Sequence, residues 1–132
     1  MFNLRHRQYI RILMIEEESL VRAALVALVT SWKGFHVVAE AATKVQALKQ
    51  FRRVDPDVVL LSLEGTKDAT LVPAISRACG RTRLLVLLSD CPEDLRLVIT
   101  GLAKRVVAKT EHPEELKKAI QDIYGKGRTR RR

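Results

Sequence analysis

Between Pro56 and Gly65 the chain carries Val58-Val59-Leu60-Leu61, a short continuous apolar run with turn formers on both sides. A run of this length, bounded in this way, reads as a strand buried on both faces. Pro56 suits the entry, because it presets φ and has no N–H to leave unpaired in a ladder. A strand covered on both faces needs helices above and below it, which restricts the chain to a layered α/β architecture. Ser62 stands at the carboxyl end of this strand. In open parallel sheets, ligands bind outside the carboxyl ends of the central strands, so Ser62 and its neighbours are where function is sought.

The rest of the chain agrees with that architecture. Tyr9 to Ile15 is β-branched and apolar and reads as a first strand, followed by Glu16-Glu17-Glu18. Ser19 is an expected N-cap for a helix running to about Trp32, with Gly34 suited to its C-terminal turn. Phe35 to Glu40 reads as a second strand, and Thr43 as the cap of a helix bearing Val45, Leu48 and Phe51 at helical spacing. After the central strand, Lys67 to Cys79 reads as a helix and Arg83 to Leu88 as a strand. Ser89 to Asp94 is a helix start, with a capping residue, an early proline and first-turn acids, followed by Leu95, Val98, Ile99 and Leu102. Arg105 to Ala108 reads as a short strand, and Pro113-Glu114-Glu115 opens a last helix ending near Gly125. Alternating strands and helices predict a parallel sheet covered on both faces. At this length the expected solution is a flavodoxin-like three-layer sandwich: five parallel strands in order 2-1-3-4-5 with five helices.

With 132 residues and an apolar fraction of 47%, the chain is one domain with a proper core. The expected boundaries are residues 9–125 for the body, with basic flexible ends at 1–8 and 126–132. The net charge of +9 is carried mainly by those ends, and setting them aside leaves a nearly neutral body. Arg128, Arg130, Arg131 and Arg132 are candidates for loose contact with nucleic-acid phosphates. No apolar run is long enough to span a bilayer, and no signal peptide is visible, so a cytoplasmic protein without a membrane partner is expected. Cys79 and Cys91 fit neither a disulfide framework nor a zinc site. His36 and His112 lack a second ligand at metal spacing, and Gly65 is an isolated loop glycine.

Three polar features fall at the carboxyl edge of this sheet: Glu16-Glu17 after the first strand, Ser62 ending the third and Lys109 after the fifth. Four segments carry a resemblance in order: Ile10 to Arg22, Val37 to Ala42, Pro56 to Leu61, and Lys109 to Leu116. They resemble the receiver domain of bacterial response regulators, of the LuxR/NarL type. The resemblance implies a phosphoacceptor aspartate on the third strand, an acidic pair holding Mg²⁺ and a lysine binding phosphoryl oxygens. It also implies a Ser or Thr ending the fourth strand and an aromatic in the fifth, which relay the change. Carried across, the acceptor position holds Ser62 and the hydroxyl switch position falls on Leu88, with Ser89 adjacent. The aromatic switch falls on Val106, the acidic pair is Glu16-Glu17, and Lys109 alone is intact. The loop after the acceptor has Thr66 and Thr70 in place of its usual Pro and Gly.

An aspartate is an ionised nucleophile at neutral pH, whereas a serine is weak without a base, and a phosphoserine is a stable ester. The third Mg²⁺ carboxylate is also missing, so metal binding is weak and no cofactor is expected. The expected function is therefore a non-enzymatic pseudo-receiver in two-component signalling and transcription regulation, acting by protein–protein contact without aspartyl phosphorylation. Glu17 is expected to pair with Lys109 in the old site. The alternatives are a phosphorylation-dependent regulator with a nonstandard acceptor, and a small nucleic-acid-binding protein using its Arg-rich ends. The first helix is unusually apolar between Leu20 and Val29, so a protein partner or homodimer is expected through the first and last helices, at Ala23, Val26, Ala27 and Ile120. A DNA-binding output domain is expected after Arg132 if the chain is a piece of a longer protein.

Overall fold

The computed structural model describes residues 9–64 and 70–130, with side chains described through Gly125. Thr66, Gly65 and Lys67 of the sequence reading lie outside the described residues, as do 1–8 and 131–132. The strands are β1 (Ile10–Ile15), β2 (Phe35–Ala41), β3 (Val58–Glu64), β4 (Leu84–Ser89) and β5 (Arg105–Ala108). They form one sheet in the order β2-β1-β3-β4-β5, and every pair is parallel. The helices are α1 (Ser19–Thr30), α2 (Lys44–Val54), α3 (Leu71–Cys79), α4 (Glu93–Leu102) and α5 (Pro113–Arg130).

Strand alternation sorts the core into two layers. Ile12, Met14, Val58, Leu60, Leu85 and Val107 face one way, against Val29 of α1 and Leu116, Ala119 and Ile120 of α5. Leu13, Ile15, Leu61, Val86 and Leu88 face the other way, against Ala47 of α2, Val72 and Ile75 of α3 and Ile99 of α4. The central strand is buried from Val58 to Leu63, as its apolar run requires.

Local signals explain most of the joints. Thr43 caps α2: its Oγ1 accepts from the Gln46 N–H at 3.2 Å, while Gln46 Oε1 accepts from the Ala42 N–H at 2.8 Å. Thr43→Ala is expected to lower stability by about 1 kcal/mol, read from a urea melt with an unchanged slope. Gly34 and Gly80 take φ of +88, the region glycine reaches without a Cβ clash.

Several expectations shift. The N-cap of α1 is Glu18, not Ser19, and the Glu18 N–H donates to the Glu16 carboxylate at 2.9 Å. Val45 is 72% exposed and Val98 is 59% exposed, so helical spacing by itself does not put a side chain in the core. The backbone of α5 stays helical past Gly125 to Arg130, because a glycine weakens a helix without breaking it.

Candidate functional site

The site is built at the carboxyl edge of the sheet, where strand parity decides which side chains meet. Residues i and i+2 share a face, so Ser62 and Glu64 continue the face of Val58 and Leu60. Glu16 extends the same face from β1 and Lys109 from β5, beyond Met14 and Val107. This is the α1/α5 side of the sheet.

Ser62 is buried, and its Oγ donates to Glu16 Oε1 at 2.5 Å. The other Glu16 oxygen accepts from the Glu18 N–H, and the Glu16 carbonyl accepts from Arg22 at 2.8 Å. Glu16 is only 3% exposed, so this carboxylate survives burial through fixed donors and a nearby cation. That cation is Lys109: its Nζ lies 3.8 Å from Glu16 and 3.7 Å from Glu64. The ammonium is buried without a hydrogen bond of normal length, held by charge rather than by a short contact. Its buried partner is Glu16 rather than the expected Glu17, because Glu16 is the residue in register with the inner face. Glu17 instead lines an open depression with Thr43, Lys44 and Thr70.

Parity also relocates the hydroxyl beside the acceptor position. Leu88 pairs with Leu63 in the ladder, and both sit in the opposite core layer. Ser89 pairs with Glu64, on the face of Ser62. Val106 pairs with Val86 and packs beside the α2–α4 layer, with no polar group to offer the site. Glu64 was missed by the sequence reading, although its i+2 spacing from Ser62 was the signal that places it.

The chemistry of these groups does not suit Mg²⁺. Serine replaces the third carboxylate, and a lysine ammonium already stands between Glu16 and Glu64. Among the described residues, no cluster of three or more His, Cys, Asp or Glu is arranged to hold a metal. Both thiols are free, and burial pushes the Cys79 pKa up to about 11, which suppresses its thiolate.

The expected partner face is partly reassigned. Ile120 is fully buried against the sheet, so it is core and cannot touch a partner. Val26 is half-buried against the same layer. Ala23 and Ala27 are exposed, and so are Leu20 at 82% and Val21 at 37%. Between α1 and α5 lies a cavity of about 250 Å³, lined by apolar residues such as Leu25, Leu28 and Leu116 together with Lys109 and His112.

The chain is 29% identical over 119 residues to the response regulator UvrY of Escherichia coli K12, covering 87% of this chain and 54% of the relative. It is 28% identical over 115 residues to the transcriptional regulatory protein LiaR of Bacillus subtilis, covering 85% and 54%. A crystal structure of a LuxR-family two-component response regulator from Aurantimonas sp. SI85-9A1 superposes with a TM-score of 0.76 at 28% identity, covering 89% of this chain and 86% of that one. No family model matches. In sequence and in fold, the chain is similar to response-regulator receiver domains. The domain spans about half the length of the curated relatives it matches. Its strand order 2-1-3-4-5 is as expected, and no helix among the described residues is long and apolar enough to cross a membrane.

Proposed function

We propose that this receiver domain regulates by protein contact and without aspartyl phosphorylation. The observation that carries the reading is the side chain at the end of β3. It is a buried serine whose hydroxyl is committed to Glu16, beside a lysine already neutralised by Glu16 and Glu64. A phosphoryl group arriving there meets a neutral hydroxyl at the end of β3, two carboxylates already facing Lys109 and no third metal ligand. The relay is incomplete as well: Ser89 puts a hydroxyl on the face of Ser62, but Val106 carries no ring. The contact surface offered is the exposed apolar run of α1, at Leu20, Val21, Ala23 and Ala27. The same exposed run suits contact with a second copy of this chain or with a DNA-binding output domain.

One observation favours a second reading. The 2.5 Å bond from Ser62 to Glu16 is the geometry of a hydroxyl beside a general base, as a nonstandard acceptor requires. Burial and the stability of a phosphoserine ester argue against a fast switch. Both readings are separated by exposing the protein to acetyl phosphate or beryllofluoride with Mg²⁺. The expected result is an unchanged intact mass and an unchanged amide NMR spectrum. A stoichiometric phosphoryl adduct, or shifts spread through β4 and β5, would overturn the reading.

A further inference from the structure

The folded body is close to neutral in total, yet its charge is sorted between the two edges of the sheet. Helices here run antiparallel to the strands, so every helix begins at the carboxyl edge and ends at the amino edge. The carboxyl edge is acidic: Glu16 to Glu18 and Glu64 are joined by first-turn acids of α4 and α5, such as Glu93 and Glu114. The amino edge is basic. Lys33 precedes β2, Arg52 and Arg53 end α2, Arg77 ends α3, Arg81 precedes β4 and Lys104 precedes β5.

Specific contacts join these into one band. Arg83 stacks over the Phe51 ring at 5.3 Å and pairs with Asp55 at 2.7 Å, which ties the start of β4 to the end of α2. Arg81 donates to the Gly101 carbonyl at 3.2 Å, which ties it to the end of α4. The Lys104 N–H donates to the Leu84 carbonyl at 2.8 Å. Arg105 pairs with Asp122 at 3.0 Å, which ties β5 to the middle of α5. The acids of this edge are Asp55, Asp57 and Asp122, and Asp57 is buried. Arg52, Arg77 and Arg81 are exposed, and among the described residues none has a carboxylate within 4 Å. Complementing the helix dipoles explains Arg52, Arg53 and Arg77, but Lys33 and Lys104 stand outside any helix.

We propose that the amino edge of the sheet binds the phosphate backbone of duplex DNA without reading its sequence. Five strands about 4.8 Å apart make a band roughly 19 Å long, enough to follow several phosphates along a duplex. The partner is a duplex rather than a single strand, since the aromatic pairs described at this edge, Tyr9 on His36 at 4.2 Å and Trp32 against Phe35 at 5.3 Å, are packed on each other and form no path of stacking platforms among the described residues. It is nucleic acid rather than an anionic membrane, since among the described residues Tyr9 is the one large exposed apolar side chain at this edge, while Leu20, Val21, Val45, Leu97 and Val98 lie on α1, α2 and α4. The backbone of α5 continues helical to Arg130. This inference stands independently of how Ser62 is used.

The test is fluorescence anisotropy with a random-sequence duplex of about 20 base pairs, on the full chain across a salt series. The triple variant Arg52→Glu, Arg77→Glu and Arg81→Glu keeps the basic end intact. It is expected to lose at least about tenfold in affinity and to flatten the log–log salt slope by about 3, while still unfolding in one cooperative transition at a somewhat lower temperature, since Arg52 and Arg77 also complement helix dipoles. The corresponding triple Arg→Lys variant should bind like the wild type, because a backbone phosphate needs only the charge. The proposal is overturned if the wild type does not bind the duplex. It is equally overturned if deletion of residues 126–132 abolishes binding while the triple Glu variant binds normally. Preference for vesicles containing phosphatidylserine over the duplex would also overturn it.

Discussion

Glu16→Ala is expected to destabilise the domain by about 3 kcal/mol. The substitution removes a carboxylate that accepts from the Ser62 hydroxyl and the Glu18 N–H. It also strips Lys109 of its buried counter-charge, leaving only the more exposed Glu64 at 3.7 Å. A cation whose nitrogen is buried cannot regain its lost partner from water without the edge opening. Glu16→Gln keeps an amide oxygen for one of the donors and should cost about 1–2 kcal/mol. Adding Lys109→Met to Glu16→Ala should recover part of the loss, with a coupling of about 1–2 kcal/mol in the double-mutant cycle. Chemical denaturation of the four proteins measures this directly. If Glu16→Ala falls within about 0.5 kcal/mol of wild type, Lys109 is not held by Glu16 and the account of the site fails.

Ser62→Asp is expected to be destabilising, by about 2 kcal/mol at neutral pH without divalent cations. The serine is a donor to a carboxylate 2.5 Å away, so the substitution replaces an attraction with two like charges in one buried place. The introduced carboxyl would be pushed above the usual carboxylate range. A group whose folded pKa is raised carries no penalty below its unfolded pKa, and the penalty grows as pH rises through the folded value. The variant should therefore approach wild-type stability near pH 4 and fall behind as pH rises. Millimolar Mg²⁺ should raise its melting temperature, because three carboxylates now converge, and should leave the wild type unmoved. Switching is not expected to return, since Leu88 and Val106 still have nothing to relay. A wild-type melting temperature that rises with Mg²⁺, or beryllofluoride shifts across β5 in the variant, would contradict these statements.

The layered architecture was legible because it follows from local pattern. Val58 to Leu61 could only be a strand covered twice, and β5 lies at Arg105–Ala108 as read. Boundaries failed where a local signal had a competitor. Gly125 looked like a helix end, yet glycine forbids nothing, and α5 runs on to Arg130. Val45 and Val98 matched the helical period but lie on turns that no neighbouring element covers. Ile120 was read as surface, because an apolar stripe does not say which layer it packs against.

The sequence by itself determined the sheet and its order, and it brought Glu16, Ser62 and Lys109 to one edge of that sheet. These depend on periodicity and residue identity, which act over a few neighbours. Only the tertiary structure decided that Glu16 rather than Glu17 holds Lys109, that Glu64 shares the pocket, and that Ser89 rather than Leu88 faces Ser62. Those choices depend on strand parity across residues more than forty positions apart, as in the bond from Ser62 to Glu16. The sorting of charge to opposite edges was likewise invisible in a nearly neutral body. It arises because every helix runs back against its strand, which places helix starts at one edge and helix ends at the other.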